Sequence, residues 1–551
     1  MGAFFIWFSC YLPNSPGATG LASTRVYLEV FIIMLGMGLL ACRLRGFSFR
    51  ANSWLFLPVA YLLFTLLFAD SPFAYSDKLR SLSLWVMLAV SALVLDKRSI
   101  TATAHCVPLL IIGVSLAVIL QHALPIGRFS LIVAGLPVIE VGQINHWAGF
   151  GQRNVMASFV ACLVVFLLYR SGEANPMGSD RWELAAIVAG SSLVSFSGSK
   201  IGLLGLIFCS FIILLLIARQ RCRLSVNQIL IDSSPILVGL LLGWALAQAS
   251  GSVSGFDRLV TETGIGQTGL VLGSTYLSRL DAWYAAFSAW IASPWLGSGP
   301  GSFLHHYQDL ALGEKLPFNS VDKVFTLFHS HNMPLQVLVE EGLVGLAWTA
   351  APFAIWAGLK IRSRSRLMIG LVIAGPILLH SLVEFPLIIS ALPLILLVFI
   401  PLVLADDQEI SPFIAGALQR GVVMSLCVLV SALHASTLIA ALVLNNYIAP
   451  SNNRLMTDWM AGDRPAENLM DHAIIGPYAK VHLYQQASIA LKAADDQDTL
   501  ASLVDFSNAS FEWFPSRNAY ELLLMTHSDR DSGHYDSTLA RYEQLKALLK
   551  P

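Results

Sequence analysis

The sequence predicts an all-α polytopic membrane protein of about thirteen transmembrane helices. Three observations carry that prediction. Of 551 residues, 56% are hydrophobic and only 13% charged, against about 25% charged in soluble domains. The apolar residues fall in runs of roughly 17–25, the length of a bilayer-crossing helix. Basic residues collect in every second short loop, the pattern of cytoplasmic loops.

Taken in order, the predicted spans are 1–12, 26–42, 53–69, 80–95, 101–120, 155–169, 184–198, 200–218, 229–248, 334–358, 367–383, 386–404 and 421–444. The N-terminal "MGAFFIWFSCYLPNSPG" lacks the basic start of a signal peptide and reads as a first span. The loops "CRLRGFSFR", "DKRS", "YRSGEANPMGSDR", "ARQRCR" and "LKIRSRSR" are assigned to the cytoplasm. The opposite face then receives residues 121–154, residues 249–333 and a tail from 445. This divides the chain into an N-terminal bundle (1–248), a large outer loop (249–333), a C-terminal bundle (334–444) and a soluble helical domain (445–551). The end of the tail has the periodicity of a tetratricopeptide-type helix pair.

Net charge is −1 with no basic tract, so nucleic acid is not an expected partner. None of the seven cysteines has a CxxC spacing. Their apolar surroundings suit small buried residues rather than a disulfide framework or zinc site. No metal or other cofactor is expected.

The informative polar residues lie at outer helix ends. Lys200 follows "SFSGS"; the bland reading is a lysine snorkelling to the interface. Arg279 lies in "TYLSRLDAWYAAFSAW", where Leu280, Trp283, Tyr284, Phe287 and Trp290 have helical spacing. An amphipathic helix along the outer surface is expected, with Arg279 binding either a phosphate or lipid headgroups. "GSGPG" at 297–301 lacks the Lys-Ser/Thr of a phosphate loop and reads as a turn. In "FHSHNMPL", Asn332 and Pro334 suit a helix start, leaving His329 and His331 at its mouth. Gln152 and Asn154 open one span, His380 and Glu384 close another, and Glu340 lies just inside a third. Each alone suits a helix end; together they suggest a site between helices.

These segments resemble the O-antigen ligase and polymerase superfamily, in particular the PglL-type bacterial protein O-oligosaccharyltransferases. "SGSK" resembles a Ser-Arg turn, with Lys200 in place of arginine. "SRLDAW" with "SPWLGSGPGSF" resembles an Arg-to-Trp helix followed by a Pro/Gly turn. "HSHN" running into "LQVLVEEGLVG" resembles a His-Asn segment opening a span. "GFGQRN" and "LHSLVEFPL" are similar to two motifs of the protein-glycosylation branch, with Arg153, Val155 and Phe385 replacing proline, histidine and tyrosine.

The resemblance implies a GT-C-like inner-membrane enzyme with its site and tail in the periplasm. It would move an oligosaccharide from undecaprenyl pyrophosphate to a Ser or Thr of an exported protein such as a type IV pilin. It places the base at His331 and the pyrophosphate clamp at Arg279 with Lys200, supported by His329, Asn332, Gln152, Asn154, Glu340, His380 and Glu384. Alternatives are a ligase acting on lipid A core, an O-antigen polymerase, or, from a different class, a secondary transporter.

Overall fold

The computed structural model describes residues 24–42, 52–68, 72–95, 97–123, 129–133, 136–141, 150, 152–173, 181–220, 226–263, 274–318, 320, 324–325, 327, 329–361, 363–405, 417–448, 468–477, 479–480, 508, 520, 524 and 533–548. The helices are α1 (Thr24–Ala41), α2 (Phe56–Leu66), α3 (Pro72–Val94), α4 (Lys97–Ala123), α5 (Arg153–Glu173), α6 (Arg181–Phe196), α7 (Lys200–Gln220), α8 (Val226–Ala249), α9 (Gly255–Thr263), α10 (Ser274–Ala292), α11 (Ser302–Leu312), α12 (Met333–Lys360), α13 (Arg364–Ser381), α14 (Pro386–Ile389), α15 (Leu392–Leu404), α16 (Ala417–Ile448) and α17 (Gly533–Leu548). Helices stand at all the predicted spans except 1–12, which lies outside the described residues. Among the described residues, six are long and apolar enough to cross a membrane, and α1, α2 and α15 are shorter apolar helices.

One element departs from an all-helical chain. Strands β1 (Phe129–Val133) and β2 (Leu136–Val141) pair antiparallel within a segment predicted only as an outer loop. The two strands carry β-branched Ile132, Val133, Val138, Ile139 and Val141, which suit a pleated ladder.

The chain forms two compact units: residues 1–56, 83–271 and 352–438 in one, and residues 57–82, 272–351 and 439–551 in the other. In the first unit α5 packs on α7, α6 on α4 and α8, and α13 on α5, α7 and α15. Close approach depends on small residues, the usual device where no water drives helices together. A Cβ on Gly202 of α7 would meet Ala157 of α5 at 2.5 Å, and one on Gly205 would meet Pro376 of α13 at 3.0 Å. At one end of this unit Arg170 bridges Glu183 at 2.9 Å and donates to the Ala104 carbonyl at 2.8 Å, tying α5 to α6 and α4.

The predicted span 386–404 is broken. Buried Glu29 of α1 accepts the Ser390 hydroxyl on both carboxylate oxygens, at 2.9 and 3.0 Å, and the Ala391 N–H at 2.6 Å. These bonds occupy groups that a continuous helix would use, so α14 ends and α15 begins anew.

In the second unit a core of Ala282, Ala285, Ala286 and Ala289 from α10, with Phe303 and Tyr307 from α11, also takes Tyr520, Tyr542 and Leu545 of the tail. The Tyr520 hydroxyl donates to Gln308 at 3.1 Å, and Arg541 of α17 meets Asp309 at 2.7 Å. The described part of the tail thus shares one core with α10 and α11. Helix α17 stands at the second helix of the predicted tetratricopeptide-like pair, and most of the first lies outside the described residues.

Candidate functional site

His331 occupies an unusual backbone position. It is one of two non-glycine residues with positive φ among the described residues, at 51°. That left-handed conformation is disfavoured for a side chain, and such outliers concentrate at working sites. An orderly helix start comes next in the chain: Asn332 caps α12 by accepting the Leu335 N–H at 3.0 Å, and Pro334 sits in the first turn. The ring of His331 meets that of His329 edge to face, with centroids 4.6 Å apart. Both rings are half-buried.

A polar chain fixes this corner. The Ser330 N–H donates to the Gln336 side-chain oxygen at 2.8 Å, and the Gln336 amide donates to Glu340 Oε1 at 2.7 Å. The same carboxylate oxygen accepts the Gly301 N–H at 3.2 Å, so the GSGPG turn and the histidine corner share one acceptor. Of the expected residues, His329, His331, Asn332 and Glu340 lie along this segment, and Gln336, which the sequence reading missed, links Glu340 to the Ser330 N–H between the two histidines. A glutamine between Asn332 and Glu340 at i, i+4 spacing was the signal that could have found it.

Helix α12 is not the continuous span predicted for 334–358. Gly342 has φ 66° and ψ −165°, which breaks the ladder. The turn 293–299 repairs the break. The Leu343 and Val344 N–H groups donate to the Pro294 and Trp295 carbonyls at 2.9 and 3.0 Å. In return the Val339 and Glu340 carbonyls accept the Ser298 and Gly299 N–H groups at 2.7 and 3.1 Å. A Cβ on Gly342 would strike the Trp295 carbonyl, and one on Gly297 would lie 2.6 Å from the Glu340 carbonyl oxygen. "SPWLGSGPG" is therefore a docking strap for a broken helix.

Arg279 lies half-buried on α10 in the same unit. Two residues on, buried Asp281 accepts the Phe318 and Ser320 N–H groups at 2.9 and 2.8 Å, anchoring the following loop to α10. The helix has two unlike apolar sides, of which periodicity gave the one with large residues. Its alanine face packs inward against the larger rings of α11, while Tyr284, Phe287 and Ile291 of the apolar side are exposed.

The remaining expected residues belong to the first unit. The Gln152 amide donates to Glu384 at 2.6 Å, Glu384 lies 3.9 Å from His380, and buried His380 meets the Ser158 hydroxyl at 3.0 Å. Asn154 contributes its backbone carbonyl, which accepts that hydroxyl at 2.9 Å. Lys200 is the first residue of α7, behind Ser199, whose side chain caps the helix through the Gly202 N–H at 3.2 Å. Arg258 of α9 comes to the same turn: a Cβ on Gly198 would stand 3.3 Å from its Nε. Sequence reading missed Arg258, which is 58 residues beyond Lys200 in a stretch without a motif.

A model of the O-antigen ligase family matches residues 184–350. The matched segment carries Lys200, Arg258, Arg279, His329, His331, Asn332 and Glu340, and leaves out Gln152, Asn154, His380 and Glu384. No curated protein matches the chain.

Proposed function

From the premise that residues 184–350 place the chain in the O-antigen ligase superfamily, we propose that it is a lipid-linked oligosaccharide transferase of the protein O-glycosylation branch. The substrate is an oligosaccharide on undecaprenyl pyrophosphate, and the acceptor is a Ser or Thr hydroxyl of an exported protein such as a pilin. In this reading the enzyme is a GT-C-like inner-membrane protein of about thirteen spans, and its site and tail face the periplasm. The observation that carries the reading is the strained backbone of His331 at the capped mouth of α12.

The chemistry follows from the groups present. Undecaprenyl pyrophosphate is a good leaving group once its charge is neutralised. Arg279, in the same unit as His331, supplies a planar guanidinium for that purpose. A hydroxyl is a weak nucleophile, and a neutral imidazole takes its proton at physiological pH. The acceptor oxygen bonds to the anomeric carbon as the bond from that carbon to phosphate oxygen breaks. The proton passes to His331, and one displacement inverts the configuration. The Gln336–Glu340–Gly301 chain sets the direction from which His331 is presented.

His331→Ala should abolish glycan transfer to a co-expressed pilin while membrane levels stay normal, and Arg279→Lys should lower turnover by about a hundredfold or more. Full turnover by either variant with purified lipid donor would remove that residue from the mechanism. The family match names a ligase and so favours a second reading, in which lipid A core is the acceptor. Intact masses of pilin and lipid A core from a host lacking other transferases separate the two.

A further inference from the structure

Within the second unit, the run that leads into the histidine corner is pinned at one position after another. Asp281 holds the Phe318 and Ser320 N–H groups, and the Tyr307 hydroxyl donates to the Ser320 carbonyl at 2.7 Å. Further along, the Gln308 amide of α11 donates to the Val324 carbonyl at 3.0 Å. Phe325 is then closed in by two rings of the tail. It meets Tyr520 and Tyr542 edge to face, each with centroids 5.8 Å apart, and those two stack on each other at 5.4 Å. Val324, Phe325 and Leu327 are all buried in that core, and His329 and His331 follow directly.

A polar relay from the tail orients this clamp. Arg541 of α17 lies at its rim, with one guanidinium nitrogen on Asp309 at 2.7 Å, and its Nε–H reaches inward to donate to the Tyr520 hydroxyl at 2.9 Å. That hydroxyl donates in turn to the Gln308 side-chain oxygen at 3.1 Å, while the Gln308 amide nitrogen serves the Val324 carbonyl. The direction is forced by the two ends. A guanidinium only donates and a carbonyl only accepts, so every bond of the relay runs one way. Tyr520 is fully buried, where a hydroxyl stripped of its partners carries a desolvation cost.

The backbone of His331 gives this clamp a purpose. Its φ is 51°, and a residue with a side chain stays in that conformation only where the surrounding structure over-determines it. The α12 cap fixes the side that follows. We infer that Tyr520, held by Arg541, is a positioning residue for His331, because through Gln308 and Phe325 the tail fixes the side that precedes it. The inference rests on the transferase reading above. The strain at one such residue is comparable to the net value of one or two hydrogen bonds. Loss of the relay therefore lets the corner relax while the ring core stays packed.

The test uses the full chain in detergent with a purified undecaprenyl pyrophosphate-linked oligosaccharide and a pilin. Tyr520→Phe keeps the ring stack and removes the hydroxyl. It should lower kcat about tenfold and leave KM for donor and acceptor unchanged, since the group displaced is the base rather than a binding contact. Arg541→Gln should slow turnover to a similar degree, and the double variant should be no slower than either alone, as befits one relay. A second measurement needs no turnover. Diethyl pyrocarbonate, with its sites mapped by mass spectrometry, should modify His331 several-fold faster in Tyr520→Phe than in the parent, and His472 elsewhere in the tail at an unchanged rate. Parent-like kcat and His331 labelling in both single variants overturn the inference. So does faster labelling of His331 and His472 together, the mark of a loosened tail. Faster labelling of His331 alone, in a chain whose parent transfers glycan to no acceptor, upholds the clamp and overturns the proposed reaction.

Discussion

Replacing Gly342 by alanine tests the strap on α12 directly. The substitution adds one methyl group, but φ is 66°, where a side chain costs about 1–2 kcal/mol. The new Cβ also strikes the Trp295 carbonyl and crowds the Gly297 N–H. Both are backbone atoms, so the strap must lift. Lifting forfeits some of the four hydrogen bonds that join residues 294–299 to residues 339–344. Each has a net value near 1 kcal/mol. The total is roughly 3–5 kcal/mol when the conformational cost is added to two or three lost bonds. Gly358, on the same helix, is the internal control: nothing lies within 4 Å of its Cβ position, and alanine there should be neutral or mildly stabilising. Thermal unfolding of detergent-solubilised protein, followed by tryptophan fluorescence, reads both variants. Gly342→Ala should fall well below the parent in midpoint and lose glycan transfer, whereas Gly358→Ala should match it. Equal midpoints for Gly342→Ala and the parent would refute the docking argument.

His331→Gly should separate stability from activity. Glycine relieves about 1 kcal/mol of left-handed strain and gives back a similar amount in backbone entropy, so the melting midpoint should barely move while transfer disappears. Asn332→Ala should do the opposite in degree, lowering stability by about 1 kcal/mol through the lost cap and slowing transfer only in part; equal midpoints for these two variants would contradict the assignments. His472 carries a pH prediction for the tail. Burial lowers its pKa below 6.5, and its Nδ1 accepts the Ile474 and Ile475 N–H groups. Its folded pKa lies below the unfolded one, so its stabilisation is complete above about pH 6.5 and is lost as pH falls toward the depressed value. His472→Asn keeps an acceptor without a titrating group. Proteolytic resistance of the tail should therefore decline as pH falls below about 6.5 in the parent and less in this variant; identical profiles would exclude His472.

The helices were legible because long apolar runs have few other solutions in a membrane. Asn332 as a cap, and the grouping of Glu340 with the two histidines, were legible because the determining residues are close in sequence. The break at 390–391 was not, because its cause is Glu29, about 360 residues away and itself an isolated carboxylate in an apolar run. Gly342 in "VEEGLVG" reads as an ordinary small residue within a span; only the distant turn at 294–299 explains it. Periodicity found α10 and its side of large apolar residues, but gave no sign of the alanine face that packs inward. Facing Phe303 and Tyr307, the alanines fit more closely. Gln152 and Glu384 were expected in one cluster from sidedness alone, and a 2.6 Å hydrogen bond joins them.

The interruption at Gly342 also sets a ruler along α12. From Leu343 to Lys360 the helix rises about 27 Å, close to the roughly 30 Å of bilayer hydrocarbon. That portion suffices to cross. The preceding turns, with Gln336, Glu340 and Glu341, are surplus length, so their carboxylates need not be carried through oil. The span predicted for 334–358, with Glu340 just inside it, resolves into a span of ordinary length and a separate bracket for the histidine corner.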